Sequence, residues 1–331
     1  AMRVAALCVS ALLGFSLMGE AAQQPVSTSP AQAFPVRPVR MIISNAAGSA
    51  PDVVGRLVGA KLAEAWGQPV VIDNRPGATG LIAAETLAKS APDGHTLWLS
   101  TMTQLISTLM YQRYPLATDF GHVALVATTP FVIVVSASLP VKSVAEWIAY
   151  AKARQGQLLF GSGGQWGSSH LCMESFNAIA GLKLVHVPYK STTNALTDLI
   201  SGQIHVYCPA APSLPTFTQG GRVRAIGVTY QKPTALAPGV PPVADTLPGF
   251  ELLGWYGMQV PLRTPANIVS RINADLVKAL GNAELQERLF AVGAQAAGST
   301  PAEFHTFLQK ETARWDKVLR ESGMVAPGKG P

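Results

Sequence analysis

The chain has 331 residues, of which 48% are hydrophobic and only 13% are charged. This length accommodates one large domain or two of ordinary size, and the apolar content is enough for a substantial core. The formal net charge of +6 suits anionic ligands in a cleft. Lys and Arg are scattered rather than clustered, however, and no nucleic-acid motif is present, so we expect no nucleic-acid partner.

The N-terminus has the pattern of an export signal. Arg3 precedes an apolar run from Val4 to Met18, which is shorter than the roughly 20 residues that span a bilayer. Cleavage is expected near residue 22, although a second small-residue site would place it after residue 33. A buried N-terminal helix is the alternative. No later segment is long and apolar enough to span a membrane, so the sequence predicts an exported, periplasmic protein.

Two cysteines, Cys172 and Cys208, remain after the leader is removed. In an oxidising compartment they could form a disulfide, and two buried free thiols are the alternative. Their spacing matches no metal site, and none of the six histidines shows metal-ligand spacing. No nucleotide-binding fingerprint occurs either, so no metal or cofactor is expected.

The first half of the chain alternates between strand and helix patterns, which favours a parallel sheet with right-handed crossovers. The predicted elements are a strand Val39 to Ser44, a helix Asp52 to Trp66, a strand Pro69 to Asp73, a helix Gly80 to Lys89 and a strand His95 to Ser100.

A second alternating set follows a buried strand at Phe131 to Ser136. It contains a helix opened by a Ser143-to-Glu146 capping box, strands at Leu158 to Gly161, Leu184 to Pro188, Ile204 to Cys208 and Val223 to Thr229, and helices at Ser169 to Ala180, Thr193 to Ser201 and Ser213 to Gln219. A proline-rich loop, a strand at Leu252 to Val260, and helices beginning at Thr264-Pro265 and Thr300-Pro301 complete the chain.

Extended runs on either side of the second set indicate two lobes joined by two crossing strands. Residues 36–132 and 230–331 would form one lobe, and 134–228 the other. The sequence therefore predicts an α/β protein in which each lobe is a mainly parallel sheet flanked by helices. A ligand would bind between the lobes, where loops leave the carboxyl ends of the strands.

The stretch SNAAGSAPD at 44–52 joins the first strand to the first helix. Ser49 and Asp52 have the spacing of a capping box. The helix N-terminus would then direct free N–H groups at an anion, and an ordinary capped turn is the alternative. The stretches 74–80 and 161–169 repeat this construction, rich in glycine, hydroxyl groups or both, which strengthens the anion-site interpretation.

A catalytic interpretation is weaker. His170 stands beside Ser168 and Ser169, a pair that could suggest an activated hydroxyl. At the first turn of a helix this histidine more often packs or caps, and the Gly-x-Ser-x-Gly motif of a nucleophile elbow is absent. Asp52 is a candidate general base, but helix capping also explains an aspartate at this position.

Several stretches resemble the Bug family of exported solute-binding proteins, the TctC-like receptors of tripartite tricarboxylate transporters. They are VRMIISNAAGSAPDVVGRLVGAKLAEAWGQPVVIDNRPGATG, APDGHTL, FGSGGQWGSSHL, HVPYKS, ALTDLISGQI, RVRAIGVT and WYGMQVPLRTP, in order from about Phe34 to Val325. The resemblance implies a periplasmic-binding-protein fold of the second type, which closes on a small carboxylated solute and delivers it to membrane subunits.

The resemblance also implies where the ligand is contacted. The implied residues are Ser44, Asn45, Ala47, Gly48, Ser49 and Asp52 in the first loop, Ala78, Thr79 and Gly80 in the second, Thr101 and Met102 after the third strand, and Ser162, Gly163, Gln165, Trp166, Ser168, Ser169 and His170 in the other lobe, with Tyr189 at the cleft edge. Cys208, in the stretch where an Asp of the family is replaced, is the remaining ligand-binding candidate. Trp166 would stack on the ligand or pack beneath its loop, and Lys190 would contact a carboxylate or remain a solvated rim residue.

This chain departs from the family pattern at several of these positions. The first loop of the family is richer in Gly and Pro, Leu81 stands where the family often has Asn, and an Asp of the family is replaced within the stretch 205–209. The loss of acidic and polar groups disfavours an amino acid and favours an apolar or aromatic carboxylic acid. A dicarboxylic acid is a further candidate. We expect a monomeric binding protein without enzymatic activity. An exported hydrolase and a sensory receptor are the alternatives.

Overall fold

The computed structural model describes residues 34–321. Its strands are β1 Val39–Ile43, β2 Val70–Asn74, β3 Thr96–Thr101, β4 Phe120–Pro130, β5 Val132–Ser136, β6 Leu159–Ser162, β7 Val185–Pro188, β8 Val206–Tyr207, β9 Val223–Val228, β10 Leu253–Pro261 and β11 Gln295–Ala296. Its α-helices are α1 Ala50–Trp66, α2 Leu81–Ala88, α3 Met102–Tyr111, α4 Val144–Lys152, α5 Ser168–Ala180, α6 Thr192–Ser201, α7 Leu214–Thr218, α8 Ala266–Leu280, α9 Ala283–Ala291 and α10 Pro301–Glu321.

The strands form two sheets, ordered β11-β4-β10-β3-β1-β2 and β7-β6-β8-β5-β9. The predicted α/β fold is confirmed, although the sheets are more evenly mixed than the mainly parallel arrangement we expected. In the first sheet β1 runs parallel to β2 and β3, while β10 is antiparallel to β3 and β4. In the second, β6 is parallel to β7 and β8, while β5 is antiparallel to β8 and β9. The antiparallel pairs arise at the strands that connect the two sheets.

The chain passes between the sheets at Phe131 and at Thr229. Phe131 separates β4 from β5, and Thr229 follows β9. The two positions are joined because the Phe131 N–H donates to Thr229 Oγ1 at 2.8 Å and the Thr229 N–H donates to the Phe131 carbonyl at 2.9 Å. The two crossings fall where the sequence places them, and the assignment of 36–132 plus 230–331 and 134–228 to separate lobes stays a prediction.

Helix α10 packs against the first sheet. Its residues Phe304, Leu308 and Trp315 are fully buried. A Cβ at Gly257 in β10 would lie 2.1 Å from the ring of Phe304, so only glycine at this position allows the helix to approach so closely. The helix begins at a capping box, in which the Glu303 N–H donates to Thr300 Oγ1 and the Thr300 N–H to the Glu303 carboxylate.

Three other features bear on the sequence predictions. Pro265 is the N-cap of α8 rather than its first helical residue. The predicted leader lies outside the described residues. Within 34–321, none of the helices combines the length and the apolar character needed to cross a membrane.

Candidate functional site

A cavity of about 250 Å³ takes its lining from both sheets. The first sheet and its helices contribute the loop after β1, the beginning of α3 and the inner ends of β4 and β10, while the second contributes the beginning of α5 and the segment after β8. The lining residues are Asn45, Ala50, Pro51, Thr101, Met102, Thr103, Thr129, Phe131, Ser168, Ala210, Gly254, Trp255 and Tyr256.

Three helix N-termini meet at this cavity. Ala50 and Pro51 open α1, Thr101 is the N-cap of α3, and Ser168 is the first residue of α5. The first N–H groups of an α-helix have no partner within the helix, and its dipole places partial positive charge there. Among the described residues, no charged side chain lines the cavity, so this positive potential comes from the main chain. The arrangement is suited to a carboxylate.

The loop before α1 is held by Asp52 rather than by the capping box that the sequence suggested. The Asp52 carboxylate accepts hydrogen bonds from the Gly48 N–H (2.9 Å), the Asn74 amide (2.9 Å) and the Arg56 guanidinium (2.9 Å). Ser49 is the N-cap residue, but its hydroxyl donates to the Ala46 carbonyl at 2.6 Å. The hydrogen bond to Arg56 is the main cause that lowers the Asp52 pKa to about 2, so the carboxylate is ionised at neutral pH.

This network leaves one polar group of the loop free for another partner. Asn74 also donates to the Asn45 carbonyl at 3.0 Å, which fixes the backbone of Asn45 at the cavity wall. The side-chain Oδ1 of Asn45 is buried and has no hydrogen-bond partner. Trp255 resembles it, since this lining residue is almost fully buried and its indole N–H also has no partner. Such groups are normally paired.

The beginning of α3 is fixed by a capping box. The Thr101 N–H donates to the side-chain carbonyl of Gln104 at 2.8 Å, and Thr101 Oγ1 accepts from the Thr103 N–H at 3.3 Å. The loop Ala78–Gly80 supports this turn from behind, because a Cβ at Gly80 would lie 2.4 Å from Gln104 Cγ. Ala78, Thr79 and Gly80 were predicted to contact the ligand, but they do not line the cavity.

In the second sheet, the loop between β6 and α5 is organised by two serines. Ser169 Oγ accepts from the Gly163 N–H at 3.0 Å and lies 3.5 Å from the Tyr207 hydroxyl. Ser162 Oγ donates to the Gly164 carbonyl at 3.0 Å. Both serines are buried and shape the loop from within, which leaves Ser168 as its cavity-lining residue.

Two stacked histidines support the same loop. The rings of His170 and His186 have centroids 3.9 Å apart. His170 Nδ1 accepts from the Trp166 N–H at 3.1 Å, and His186 Nε2 lies 2.7 Å from Ser162 Oγ. Burial, with a further contribution from His170, lowers the His186 pKa to about 4, so this ring is neutral at pH 7.

The position of His170 does not support the hydrolase alternative. One ring nitrogen accepts the Trp166 N–H, and the other lies 3.6 Å from the Glu174 carboxylate. The Ser169 hydroxyl, for its part, is used by Gly163 and Tyr207. Trp166 packs against the buried core rather than lining the cavity.

Cys172 and Cys208 form a disulfide, with Cα atoms 6.2 Å apart, so the pairing alternative is confirmed over two free thiols. The bond joins the second turn of α5 to the segment after β8. Cys208 was predicted to contact the ligand, but it is fully buried and does not line the cavity. Tyr189 was predicted at the cleft edge, yet its hydroxyl donates to the Asp198 carboxylate at 2.7 Å, and burial raises its pKa to about 12. Lys190 is exposed.

Four of the predicted residues line the cavity, and the rest do not. Asn45, Thr101, Met102 and Ser168 line it. The predicted residues outside its lining are Ser44, Ala47, Gly48, Ser49, Asp52, Ala78, Thr79, Gly80, Ser162, Gly163, Gln165, Trp166, Ser169, His170, Tyr189 and Cys208. Several of these residues support the lining residues from outside the cavity. Ser44, for example, accepts a hydrogen bond from the Trp98 indole N–H at 2.8 Å.

Sequence reasoning missed the lining residues of the crossing strands, namely Thr129, Phe131, Gly254, Trp255 and Tyr256. Their signal was present, because a strand that passes between two lobes necessarily borders the cleft between them. Strand-to-helix loops alone do not include these positions, so a prediction based on the loops leaves them out.

Comparison with known proteins agrees with this architecture. Residues 54–324 match the tripartite tricarboxylate transporter family receptor model. The chain is 30% identical to protein BugT of Bordetella pertussis, over 95% of this chain and 97% of the relative.

Two solved structures are similar over nearly their whole length. R. palustris Rpa4515 with adipate is 33% identical, with a TM-score of 0.72, and the match covers 88% of this chain and 99% of that one. MatC from Rhodopseudomonas palustris with bound malate is 30% identical, with a TM-score of 0.70, and the match covers 86% of this chain and 100% of that one. The chain therefore belongs to the TctC/Bug family of tripartite tricarboxylate transporter receptors, as the sequence motifs predict.

Proposed function

We propose that this protein is a solute receptor that holds a small organic acid in the cavity between its two sheets. One observation supports this above all: three helix N-termini, from both sheets, meet at a cavity whose lining, among the described residues, has no charged side chain. Main-chain N–H groups and the Ser168 hydroxyl would donate to the carboxylate oxygens. The Thr101 hydroxyl donates to Gln104 Oε1 at 2.6 Å and holds the beginning of α3 in place. A ligand that contacts both sheets would stabilise their closed arrangement.

The lining also limits the chemical class of the acid. Met102, Phe131 and Trp255 form apolar parts of the wall, which favour a hydrocarbon body over a hydroxylated one. An amino acid would leave its ammonium group without a carboxylate partner, which is costly in a desolvated site. Two similar proteins are described with adipate and with malate. We therefore propose a dicarboxylate with an unsubstituted apolar chain as the preferred ligand, and an aromatic acid as the next candidate.

A thermal-shift and calorimetry screen tests this proposal. The compounds are adipate, malate, benzoate and glutamate, with the diamide of adipic acid as the uncharged control. Because a ligand that binds only the folded state stabilises it, we expect adipate to raise the melting temperature most and the diamide to leave it unchanged. Equal responses to acid and diamide, or none to any acid, would contradict the proposal.

Replacing Ser168 by Asp tests the role of the helix N-termini directly. An acidic residue in the first turn is favourable for the helix itself, so α5 should remain folded. Its negative charge would repel a bound carboxylate, and we expect acid binding to weaken at least tenfold. Ser191→Asp at the N-cap of α6, outside the cavity lining, is the matched control and should bind as the unaltered protein does.

We propose that residues 1–22 direct export to the periplasm and that the receptor acts as a monomer. It would deliver its acid to the membrane subunits of a tripartite transporter. Mass spectrometry of the secreted mature chain gives the cleavage site, and light scattering gives the oligomeric state.

A further inference from the structure

Two histidines far apart in the sequence meet away from the cavity. His122 lies on β4 and His305 in the second turn of α10. Their Nδ1 atoms are 3.3 Å apart, and their ring centroids are 4.8 Å apart. Both residues are half-buried, so solvent reaches them. Nothing in the proposed solute-binding function uses this pair.

The protonation of His122 follows from its neighbours. Its Nε2 lies 3.0 Å from the Leu116 carbonyl, and a carbonyl can only accept, so Nε2 carries the proton. The neutral ring therefore presents a bare lone pair on Nδ1 toward His305. A histidine that ligates a metal through one nitrogen commonly donates its other N–H to a backbone carbonyl in this way.

The spacing of the pair matches that of two ligands on one cation. Nitrogen ligands bind Zn²⁺ at roughly 2.0–2.1 Å in tetrahedral geometry, which puts them about 3.3 Å apart. We propose that His122 and His305 form a binding site for a d-block divalent cation of the Zn²⁺, Cu²⁺ or Ni²⁺ class, for which imidazole is a suitable ligand. Water completes the coordination. In the metal-free pair the His305 N–H donates to His122, and on binding that proton moves to Nε2 of His305.

The surrounding structure holds both rings in place. The capping box at Thr300 and Glu303 fixes the beginning of α10 just before His305. Phe304 is fully buried and lies edge-on to the His122 ring, with centroids 5.9 Å apart. A site whose ligands are already positioned loses little conformational entropy when the metal binds. The metal would connect α10 to β4 and stabilise the folded state.

Calorimetric titration of the tag-free mature protein, first stripped with chelator, tests this proposal with Zn²⁺ and with Cu²⁺ alone. We expect one equivalent to bind and the melting temperature to rise with metal concentration. His122→Ala and His305→Ala should each weaken binding at least tenfold, because each removes one of two protein ligands. His205→Gln, at a half-buried histidine whose Nδ1 accepts the Leu159 N–H at 2.9 Å, is the control and should leave the metal affinity unchanged.

Two results would overturn the site: no saturable binding by the unaltered protein, or metal affinity retained by either single variant. If His122→Ala fails to fold, His305→Asn at the half-exposed position of α10 still decides the matter by the same tenfold criterion. Acid binding is measured on the same samples. Because the histidine pair lies outside the cavity lining, acid affinity should be the same with and without metal.

Discussion

Asp52 organises the loop before α1 although it does not line the cavity. Its side chain is 2% exposed, and it joins the backbone of Gly48 to Asn74, which in turn holds the Asn45 carbonyl. A conformation with φ of +81° at Gly48 is open to glycine at little cost. The aspartate therefore determines where the first N–H groups of α1 point. Its role is positional, so an acidic residue here is compatible with the proposed carboxylate site.

Replacing Asp52 by Ala tests this positional role. The change removes the charged acceptor of the part-buried hydrogen bonds from the Gly48 N–H and the Asn74 amide, which we expect to cost about 1–3 kcal/mol of unfolding free energy. Acid affinity should fall at least tenfold, because the loop no longer holds Asn45 and the α1 N-terminus in place. Asp316→Ala removes an exposed aspartate that pairs with Arg320 four residues later and should change neither quantity measurably. An Asp52 variant with unaltered affinity would show that the loop does not depend on this carboxylate.

The lowered pKa of His186 predicts that the folded protein becomes less stable as the pH falls below about 6.5. Burial lowers its pKa to about 4 in the folded protein, whereas the unfolded chain takes up a proton near the ordinary value of about 6.5. The unfolded state therefore binds more protons between these values, and stability falls as the pH decreases from about 6.5 to about 4. Above that window His186 contributes no pH dependence.

Melting temperature measured against pH for the unaltered protein and for His186→Gln checks this. The difference between the two curves isolates this histidine from others whose pKa is also lowered, such as His122 and His205. We expect the variant to show a flatter curve between pH 6.5 and 4. Parallel curves through that window would mean that His186 titrates normally in the folded state.

Elements with a complete local signal were predicted well. Helix α1 and strand β1 match the expected bounds to within two residues, because their apolar periodicity and flanking turns agree. Helix α3 and the long strand β4 were missed. The sequence of α3, MTQLISTLMY, starts directly after a strand with no glycine or proline to separate them, and only the Thr101 capping box marks the change. Strand β8 has two residues, Val206–Tyr207, instead of the five predicted from Ile204 to Cys208. Pro209 cannot extend the ladder beyond Cys208.

The disulfide connects two elements, since it joins helix α5, whose first residue Ser168 lines the cavity, to the segment that carries Ala210. The two cysteines are 36 residues apart, and closing a loop of this length stabilises a fold by about 4 kcal/mol in the chain-entropy model. We expect the double variant Cys172→Ala, Cys208→Ala to melt at a clearly lower temperature and to bind acid more weakly at a temperature where it is still folded. Thiol titration of the denatured, unreduced mature protein should find no free thiol. Two reactive thiols, or a double variant of equal stability, would contradict this.

At the scale of the whole molecule, the sequence anticipated the architecture better than the site. Of the three strand-to-helix loops predicted at the ligand, those before α1 and α5 reach the cavity and the one before α2 does not. The beginning of α3, which only the family resemblance indicated through Thr101 and Met102, lines the cavity instead. Which residue of each loop faces the cavity could not be read from the sequence. It depends on hydrogen bonds such as those of Asp52 and Ser169, which turn some predicted side chains inward. The contribution of Phe131 and Trp255 depends on how β4 and β10 leave the first sheet, and this is a property of the assembled molecule.

The contact between Gly293 and Pro212 offers a test of whether the two sheets close around a ligand. Gly293, between α9 and β11, has a φ of +75°, and a Cβ at this position would lie 1.6 Å from Cγ of Pro212. Pro212 belongs to the turn Ala211–Ser213, which follows β8 and the cavity-lining Ala210. Thr129, also in the lining, donates its hydroxyl hydrogen to the Gly293 carbonyl at 2.7 Å. The observed arrangement of the two sheets around the cavity therefore requires that residue 293 have no side chain.

Gly293→Ala should hold the two sheets apart on this side. We expect acid affinity to fall at least tenfold, because the beginning of α5 would no longer reach a ligand bound at α1 and α3, and we expect small-angle scattering to show a larger radius of gyration with ligand present. Alanine at positive φ itself costs about 1–2 kcal/mol, so the control must carry the same backbone penalty. Gly239→Ala provides it, with a φ of +73° and no atom within 4 Å of the added Cβ. If both variants lose the same stability and bind acid equally well, the contact with Pro212 plays no part in closure. If only the Gly293 variant loses affinity, closure requires the backbone at residue 293 to approach Pro212 closely.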